Sequence, residues 1–95
     1  MDRLVLCHNS IDDDGILELC DCLLSAHNTT LSQLDISETK VGDRGIEGLI
    51  ETMRQIETIC VVEIEGLKEV SKDMREKLDA ALRRNRVTMK KYKKY

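Results

Sequence analysis

The sequence predicts an α/β fold built from repeated strand–helix units, and two patterns within residues 31–53 carry this prediction. First, Leu31, Leu34, Ile36 and Val41 have the spacing of a short strand that is followed by a turn. Second, apolar residues after a glycine-containing turn recur at i, i+3, i+4 and i+7, the pattern of one helix face: Ile46, Leu49, Ile50 and Met53. A single unit of about 30 residues cannot bury both apolar faces, so it needs neighbouring units.

The same unit occurs 30 residues earlier in the chain. Gly15 and Ile16 match Gly45 and Ile46 at the start of the helix. The strand and turn positions match as well, at Met1, Leu4, Leu6, Asn9 and Ile11. The predicted first helix carries the apolar stripe Ile16, Leu19, Cys20, Leu23 and Leu24.

A third and less regular unit follows the second one. Its strand contains Ile59, Val62 and Ile64, and Leu67 stands where the earlier units have Asn9 and Thr39. Ser71 is the expected N-cap of a helix with the apolar stripe Met74, Leu78, Ala81 and Leu82. We expect this helix to end at Asn85, and we expect a short fourth strand around Val87, Met89 and Tyr92.

The first unit resembles a known repeat family. Its pattern Met1-x-x-Leu4-x-Leu6-x-x-Asn9-x-Ile11 is similar to the leucine-rich-repeat consensus, L-x-x-L-x-L-x-x-N-x-L. The repeat length and the long helix resemble the ribonuclease-inhibitor-like subclass. The resemblance implies a short leucine-rich-repeat solenoid with parallel strands on the concave side and helices on the convex side. It divides residues 1–85 into repeats 1–30, 31–58 and 59–85, and leaves a basic C-terminal tail at 86–95.

Charge is distributed unevenly along the chain. The 95 residues have a net charge of −3, yet residues 83–95 hold seven Lys or Arg and no acid. The preceding residues hold eight basic and eighteen acidic residues and have a net charge of −10. The protein is therefore expected to be a single domain with an acidic body and a basic tail.

Phe and Trp are absent, which argues against an aromatic-lined ligand pocket.

The cysteines and acidic residues do not have the spacing of a metal or catalytic site. Cys7, Cys20, Cys22 and Cys60 form no Cys-x-x-Cys pair, and we interpret them as reduced, mostly buried thiols. The acidic run 12–14 before Gly15 lacks the layout of a calcium loop and is expected to cap a helix. We predict no enzyme activity, no metal, no cofactor and no membrane span. Reduced thiols favour the cytoplasm, with the nucleus as the alternative.

In a leucine-rich-repeat solenoid, strand residues that do not point inward line the concave face, and this face is the expected site for a protein partner. The alternative is an ordinary solvated sheet surface. Cys7, Val5 and Val61 fall on this face, together with the polar candidates Arg3, His8, Gln33, Asp35, Ser37, Glu38, Glu63 and Glu65. Because acids predominate in the second and third strands, the expected partner is basic or of mixed charge.

The basic tail is the second candidate. Tyr92 and Tyr95 alternate there with lysines, a pattern that suits stacking on bases while lysines contact phosphates. The tail contributes the basic residues Arg83, Arg84, Arg86, Lys90, Lys91, Lys93 and Lys94. An anionic partner is therefore the alternative to protein binding at the sheet. A solubilising terminus, an import signal or a segment folded back on the acidic body are the other interpretations.

The first strand is the third candidate, because no repeat precedes it in this sequence. Leu4 and Leu6 are expected to lie in an edge strand beside an exposed end of the aliphatic core. We therefore expect a partner to cover this strand: earlier repeats of a longer protein, another subunit or a second copy of the chain. The sequence thus predicts a non-enzymatic protein–protein interaction module that is a subunit of an assembly or the C-terminal end of a longer repeat protein.

Overall fold

A computed structural model describes residues 2–7, 10–26 and 30–92 of the chain. Three strands alternate with three helices in the order β1 (Asp2–Val5), α1 (Asp13–Ser25), β2 (Leu31–Asp35), α2 (Asp43–Gln55), β3 (Val61–Glu63) and α3 (Lys72–Tyr92). The predicted α/β class and the order of strands and helices are confirmed. Met1, His8, Asn9, Lys93, Lys94 and Tyr95, which the sequence analysis singled out, lie outside the described residues.

The three strands form one parallel sheet in the order β1-β2-β3. Parallel neighbours need a crossover connection, and α1 and α2 supply the two crossovers. Each unit contacts the next one, since α1 packs against α2 and α2 packs against α3. β2 is therefore the central strand, and β1 and β3 are the two edges of the described sheet.

The core between the sheet and the helices is aliphatic, as the composition requires. Alternate strand residues enter it, because successive side chains of a strand point to opposite faces. Leu34 and Val62 are buried there, while the matching Leu4 of β1 is only half-buried. The helices contribute side chains that are at most 1% exposed, among them Ile16, Ile46, Leu49, Met53 and Leu78. The predicted helix stripes thus identify the core.

Each helix begins with a different cap. α1 is capped by Asp12, whose Oδ1 accepts a hydrogen bond from the backbone N–H of Gly15 at 3.0 Å. α3 follows Ser71, whose Oγ accepts from the N–H of Met74 at 3.2 Å. Both arrangements confirm the expected caps. The N-cap of α2 is Gly42, which has no side chain to perform this role.

The predicted end of the third helix at Asn85 is wrong, and so is the predicted fourth strand. α3 continues without a break to Tyr92. Asn85 favours a helix end by local propensity, but here it is fully buried and its Nδ2 donates to the backbone carbonyls of Met53 in α2 and Ile59 before β3. No glycine or proline follows that would end the helix, so Arg86 to Tyr92 remain helical.

None of the helices in residues 2–7, 10–26 and 30–92 has a stretch that is both long enough and apolar enough to cross a membrane.

Candidate functional site

The sheet has one face that carries no helix, and we call it the open face. It is formed by the strand residues that alternate with the core residues. The strand register aligns them in two rows across the sheet: Arg3, Gln33 and Val61 in one, and Val5, Asp35 and Glu63 in the other. The alternation in the sequence thus predicted which strand residues share this face.

A charge network crosses the open face. The Arg3 guanidinium Nη2 lies 4.0 Å from Asp35 Oδ2 and 3.9 Å from Glu63 Oε2, so one cation stands between two carboxylates. The Arg3 and Glu63 side chains are 54% and 48% exposed. Exposed ion pairs at this distance contribute little to stability, about 0–1 kcal/mol. Arg3 and Glu63 can therefore separate and each contact a charged group of a partner, at a small cost in free energy.

Asp35 has a different role from its exposed neighbours. The residue is 8% exposed, and its Oδ1 accepts a hydrogen bond from the backbone N–H of Ser37 at 3.0 Å. That bond, supported by the Ser37 hydroxyl and the positive charge of Arg3, lowers the pKa of Asp35 below its ordinary value. Asp35 therefore holds the turn after β2 as an ionised carboxylate.

Ser37 is also more structural than the sequence suggested. It is 9% exposed, and its Oγ accepts a hydrogen bond from the backbone N–H of Glu65 at 3.0 Å. The side chain thus joins the turn after β2 to the turn after β3. Of the polar residues predicted for the face, Ser37 and Asp35 are mostly buried, whereas Arg3, Glu38, Glu63 and Glu65 are exposed.

The turns after β2 and β3, which lie beside the open face, each contain a residue with a positive φ. Glu38 has a φ of 57°, and its N–H donates to the carbonyl of Glu65 at 2.8 Å. Gly66 has a φ of 78°, and the Glu38 carboxylate lies over the position where a Cβ of residue 66 would be. Glycine at position 66 therefore leaves room for Glu38, and the adjacent shallow cleft of about 410 Å³ is lined by Glu38, Thr39, Lys40, Gly66, Lys68 and Glu69.

The turns of the second and third units differ as their ninth positions differ. Thr39 Oγ1 donates to the carbonyl of Ile36 at 2.7 Å, which is the turn-closing role expected of a polar residue at this position. Leu67 is 1% exposed and belongs to the hydrophobic core. The ninth position therefore contributes a hydrogen bond to the second turn and apolar packing to the third.

The acidic run 12–14 caps helices. Asp12 caps its own helix, and Asp13 Oδ1 accepts from the N–H groups of Gly42 and Gly45 at the start of α2. Asp14 forms an ion pair with Arg44. Across the described ranges, no group of His, Cys, Asp or Glu side chains is arranged to hold a metal ion.

The four cysteines are free thiols, but only Cys20 is buried. Burial raises the pKa of its thiol, so Cys20 is held in the protonated, unreactive form. Cys22 is exposed, and Cys7 and Cys60 are half-buried. The expectation that most of the thiols are buried is therefore wrong.

The basic segment begins on α3. Arg83 and Arg84 are exposed there, and Arg86 is exposed but donates its Nε–H to the carbonyl of Cys60 at 2.9 Å. Lys90 and Lys91 belong to the same helix. The part of this segment that the structure describes is therefore helical.

A groove between α2 and α3 was not predicted from the sequence. It has a volume of about 550 Å³ and is lined by Glu47, Ile50, Glu51, Arg54, Met74, Lys77, Ala80, Ala81 and Arg84. Its α2 side carries Glu47 and Glu51, and its α3 side carries Lys77 and Arg84. The rim charges therefore face each other across the groove.

Sequence reasoning missed the residues that join successive units. Asp43 Oδ1 accepts from the N–H of Ser71 at 2.6 Å, which repeats the contact of Asp13 with Gly42 one unit later. The recurrence of Asp13 and Asp43 at the same position of two units was the available signal. The role of Asn85 had no such signal, since the carbonyls that it contacts belong to distant positions of the chain.

Comparison with known proteins agrees with this geometry. The model of the family described as Leucine Rich repeat matches residues 27–49, which contain all of β2 and the first half of α2. Comparison of the full sequence with curated proteins gives no match. Leucine-rich repeats typically bind other proteins and are typically non-enzymatic. Residues 27–49 are therefore similar to a leucine-rich repeat.

Proposed function

We propose that this chain is a non-enzymatic protein-binding module, a short solenoid of the ribonuclease-inhibitor-like subclass whose open face is concave. It acts as a subunit of a larger assembly or as the C-terminal end of a longer repeat protein in the cytoplasm. The leucine-rich-repeat match supports protein binding, and the parallel sheet with helices on one side supports the concave assignment.

The observation that carries the proposal is the excess of exposed carboxylates around the open face. Glu38, Glu63 and Glu65 are exposed there, and Arg3 is the basic residue among the described side chains of the face. A partner that presents Lys or Arg replaces the weak contacts of Arg3 and neutralises these carboxylates. The proposed partner is therefore a basic or mixed-charge protein segment.

Titration of the isotope-labelled chain with synthetic peptides of equal length tests this proposal. One peptide is rich in Lys and Arg, one is neutral and one is acidic. We expect the basic peptide to shift the amide resonances of Gln33, Asp35 and Glu63. Glu63→Lys combined with Glu65→Lys should abolish the shifts, because the attraction becomes repulsion.

The matched control is Glu47→Lys combined with Glu51→Lys, which reverses the same number of charges on the exposed surface of α2. This control should bind the basic peptide as the wild type does. Equal loss in both variants would show a response to net charge alone and would contradict docking at the open face. Binding of the neutral or acidic peptide in preference to the basic one would also contradict it.

Nucleic-acid binding is the second candidate function, and the exposed arginines of α3 favour it. Arg83 and Arg84 extend the basic surface onto a helix, beyond the tail itself. A truncation that removes residues 88–95 keeps the contact of Arg86 with Cys60 and deletes four lysines. If this function is correct, a labelled single-stranded oligonucleotide binds the full chain and loses affinity on truncation. Its affinity should also fall steeply between about 50 mM and about 200 mM salt. Binding unaffected by truncation would exclude the four deleted lysines as the site.

A further inference from the structure

The first unit buries its apolar residues less completely than the second one. In the second unit, five apolar residues are at most 1% exposed: Leu34, Ile36, Val41, Leu49 and Met53. Their counterparts 30 residues earlier are half-buried: Leu4, Leu6, Ile11, Leu19 and Leu23. The residue types are similar, so the difference arises from coverage: within the described residues the second unit packs against a unit on each side, whereas the first unit packs against the second unit alone.

The strand of the first unit has an open side as well. β1 is paired with β2 alone within the described residues. The Leu6 N–H donates to Asp35 in the direction of β2 at 2.7 Å, and successive N–H groups of a strand alternate in direction. The N–H groups of Val5 and Arg3 therefore point away from β2. Val5 is also 48% exposed, which is unusual for a large hydrophobic residue among the described side chains. We call β1 together with the half-buried Leu19 and Leu23 of α1 the first-unit surface.

The acidic run 12–14, in the turn before α1, determines which kind of unit can stack on the first-unit surface. Between the first two units, Asp13 caps α2 at Gly42 and Gly45, and Asp14 pairs with Arg44. The second unit accepts these carboxylates because it has glycine at the N-cap and arginine two positions later. The first unit has Asp12 and Asp14 at those two positions, and Asp12 already caps its own helix. Suppose that another unit with the same acidic run were stacked before the first unit in the same direction. Its aspartates would then lie against Asp12 and Asp14 of the first unit, and like charges would repel.

Head-to-tail stacking of copies is disfavoured for a second reason. It would place the outer surface of α3 from one copy on the apolar first-unit surface of the next. The exposed residues of α3 include a dense set of charges: Lys72, Asp73, Glu76, Lys77, Asp79, Arg83, Arg84 and Arg86. Burying these charges against leucines would cost free energy without supplying partners for them.

We propose that the first-unit surface pairs with the same surface of a second copy of this chain about a two-fold axis. In this arrangement β1 pairs with the second β1 in an antiparallel direction, and α1 packs against the second α1. The acidic turns then lie at opposite ends of the interface, which removes the repulsion of a same-direction stack. Both leucine sets are buried, and the outward N–H groups of Arg3 and Val5 gain acceptors.

The pairing joins two three-stranded sheets into one and does not depend on docking at the open face. It places two open faces on one continuous sheet. The dimer therefore presents its proposed protein-binding surface twice, which raises the avidity for a partner with two basic segments.

Sedimentation equilibrium of the full 95-residue chain over a range of concentrations tests this inference. We expect a reversible monomer–dimer equilibrium with a limiting mass twice the chain mass of 10.9 kDa. A mass that grows beyond the dimer would indicate head-to-tail stacking and would overturn the proposal. A monomer at every concentration would also overturn it and would assign the first-unit surface to a repeat unit of another or longer protein.

Three variants locate the interface. Leu23→Glu places a charge on the first-unit surface and should shift the equilibrium to monomer by at least about tenfold in dissociation constant. Ile50→Glu is the matched control, since Ile50 is a half-buried aliphatic residue on α2 away from that surface. Val5→Pro deletes an outward N–H and should also weaken the dimer. A dimer that all three variants leave intact would place the contact elsewhere and refute the assignment.

Amide hydrogen exchange keeps the test decisive if Leu23→Glu fails to fold. In the wild type, the amides of Arg3 and Val5 should exchange more slowly as the protein concentration rises, because these N–H groups become paired in the dimer. The amide of Leu6, which already donates to Asp35, should show a smaller dependence on concentration. Rapid exchange of Arg3 and Val5 at concentrations where a dimer is present would exclude β1 pairing.

Discussion

The Oδ1 atom of Asp13 accepts hydrogen bonds from the backbone N–H of Gly42 at 2.7 Å and from that of Gly45 at 3.0 Å. A side chain in the first turn of α1 thus supplies the cap that α2 cannot supply for itself. Asp43 repeats the contact at Ser71 with a distance of 2.6 Å. Helix capping in this protein is shared between units, so the start of one helix depends on the presence of the preceding unit.

Replacing Asp13 should therefore destabilise the second helix as well as the first. We expect Asp13→Ala to lower the free energy of unfolding by about 1–2 kcal/mol, the cost of losing a helix cap. Urea unfolding followed by circular dichroism measures the change. Asp13→Asn keeps the acceptor oxygen and should cost less, and Glu18→Ala, at an exposed position of the same helix, should change little. Equal effects of Asp13→Ala and Glu18→Ala would show that the shared cap is unimportant.

Asn85 should be one of the polar residues on which stability depends most. Its Nδ2 donates to the carbonyls of Met53 at 3.2 Å and Ile59 at 2.8 Å, and the residue is 0% exposed. Asn85→Ala leaves these buried carbonyls without a donor and should cost about 2–3 kcal/mol in thermal or urea unfolding. The exposed Arg83→Ala on the same helix is the control and should stay within about 0.5 kcal/mol of the wild type. A similar small effect at Asn85 would contradict its bridging role.

The stability cost of replacing Gly66 should depend on how readily the new residue adopts a left-handed backbone conformation. Its φ of 78° lies in the left-handed region, where a Cβ costs about 1–2 kcal/mol. Gly66→Ala should lower stability by about this amount and displace the Glu38 carboxylate from its present position. Gly66→Asn should cost less in the same unfolding measurement, since asparagine adopts this conformation more readily. An alanine variant as stable as the wild type would show that the turn after β3 changes conformation.

Asp35 should make stability depend on pH in the acidic range. Its pKa is lowered in the folded protein, so its contribution is present above the unfolded-state pKa of about 3.9 and is lost as pH falls through the folded value. Asp35→Asn keeps the acceptor for Ser37 without the charge. The stability difference between wild type and Asp35→Asn should therefore shrink as pH is lowered from about 5 towards 2. A difference that stays constant with pH would contradict the predicted ionisation. The exposed Asp79→Asn is the comparison variant.

The cysteines should react at very different rates with a maleimide under native conditions. Exposed Cys22 should be modified first, and Cys20 should be the most protected, because it is 4% exposed and burial raises its pKa. Mass spectrometry of peptides from partially modified protein measures the order. In denaturant the four thiols should become similar. Early modification of Cys20 in the native protein would show that α1 opens readily at the first-unit surface.

The sequence by itself determined the strand–helix order, the residues that enter the core and the caps at Asp12 and Ser71. These features depend on local periodicity and on side chains that act within a few positions of their own backbone. The repeat of 30 residues also predicted which strand positions align across the sheet. Arg3, Asp35 and Glu63 could be assigned to one face for this reason, since strand alternation is a local property.

Only the tertiary structure decided how the units are joined and where the third helix ends. Asn85 has the propensity of a helix end, but burial against the carbonyls of Met53 and Ile59 keeps it inside α3. The sequence suggested that Asp35 is an exposed surface acid. Its neighbours instead bury it, and its carboxylate accepts the hydrogen bond that holds the turn after β2. The exposure of each apolar side chain likewise depends on whether a neighbouring unit covers it. Hydrogen bonds and burial between distant segments do not follow from local pattern, because they are decided by which segments the fold brings together.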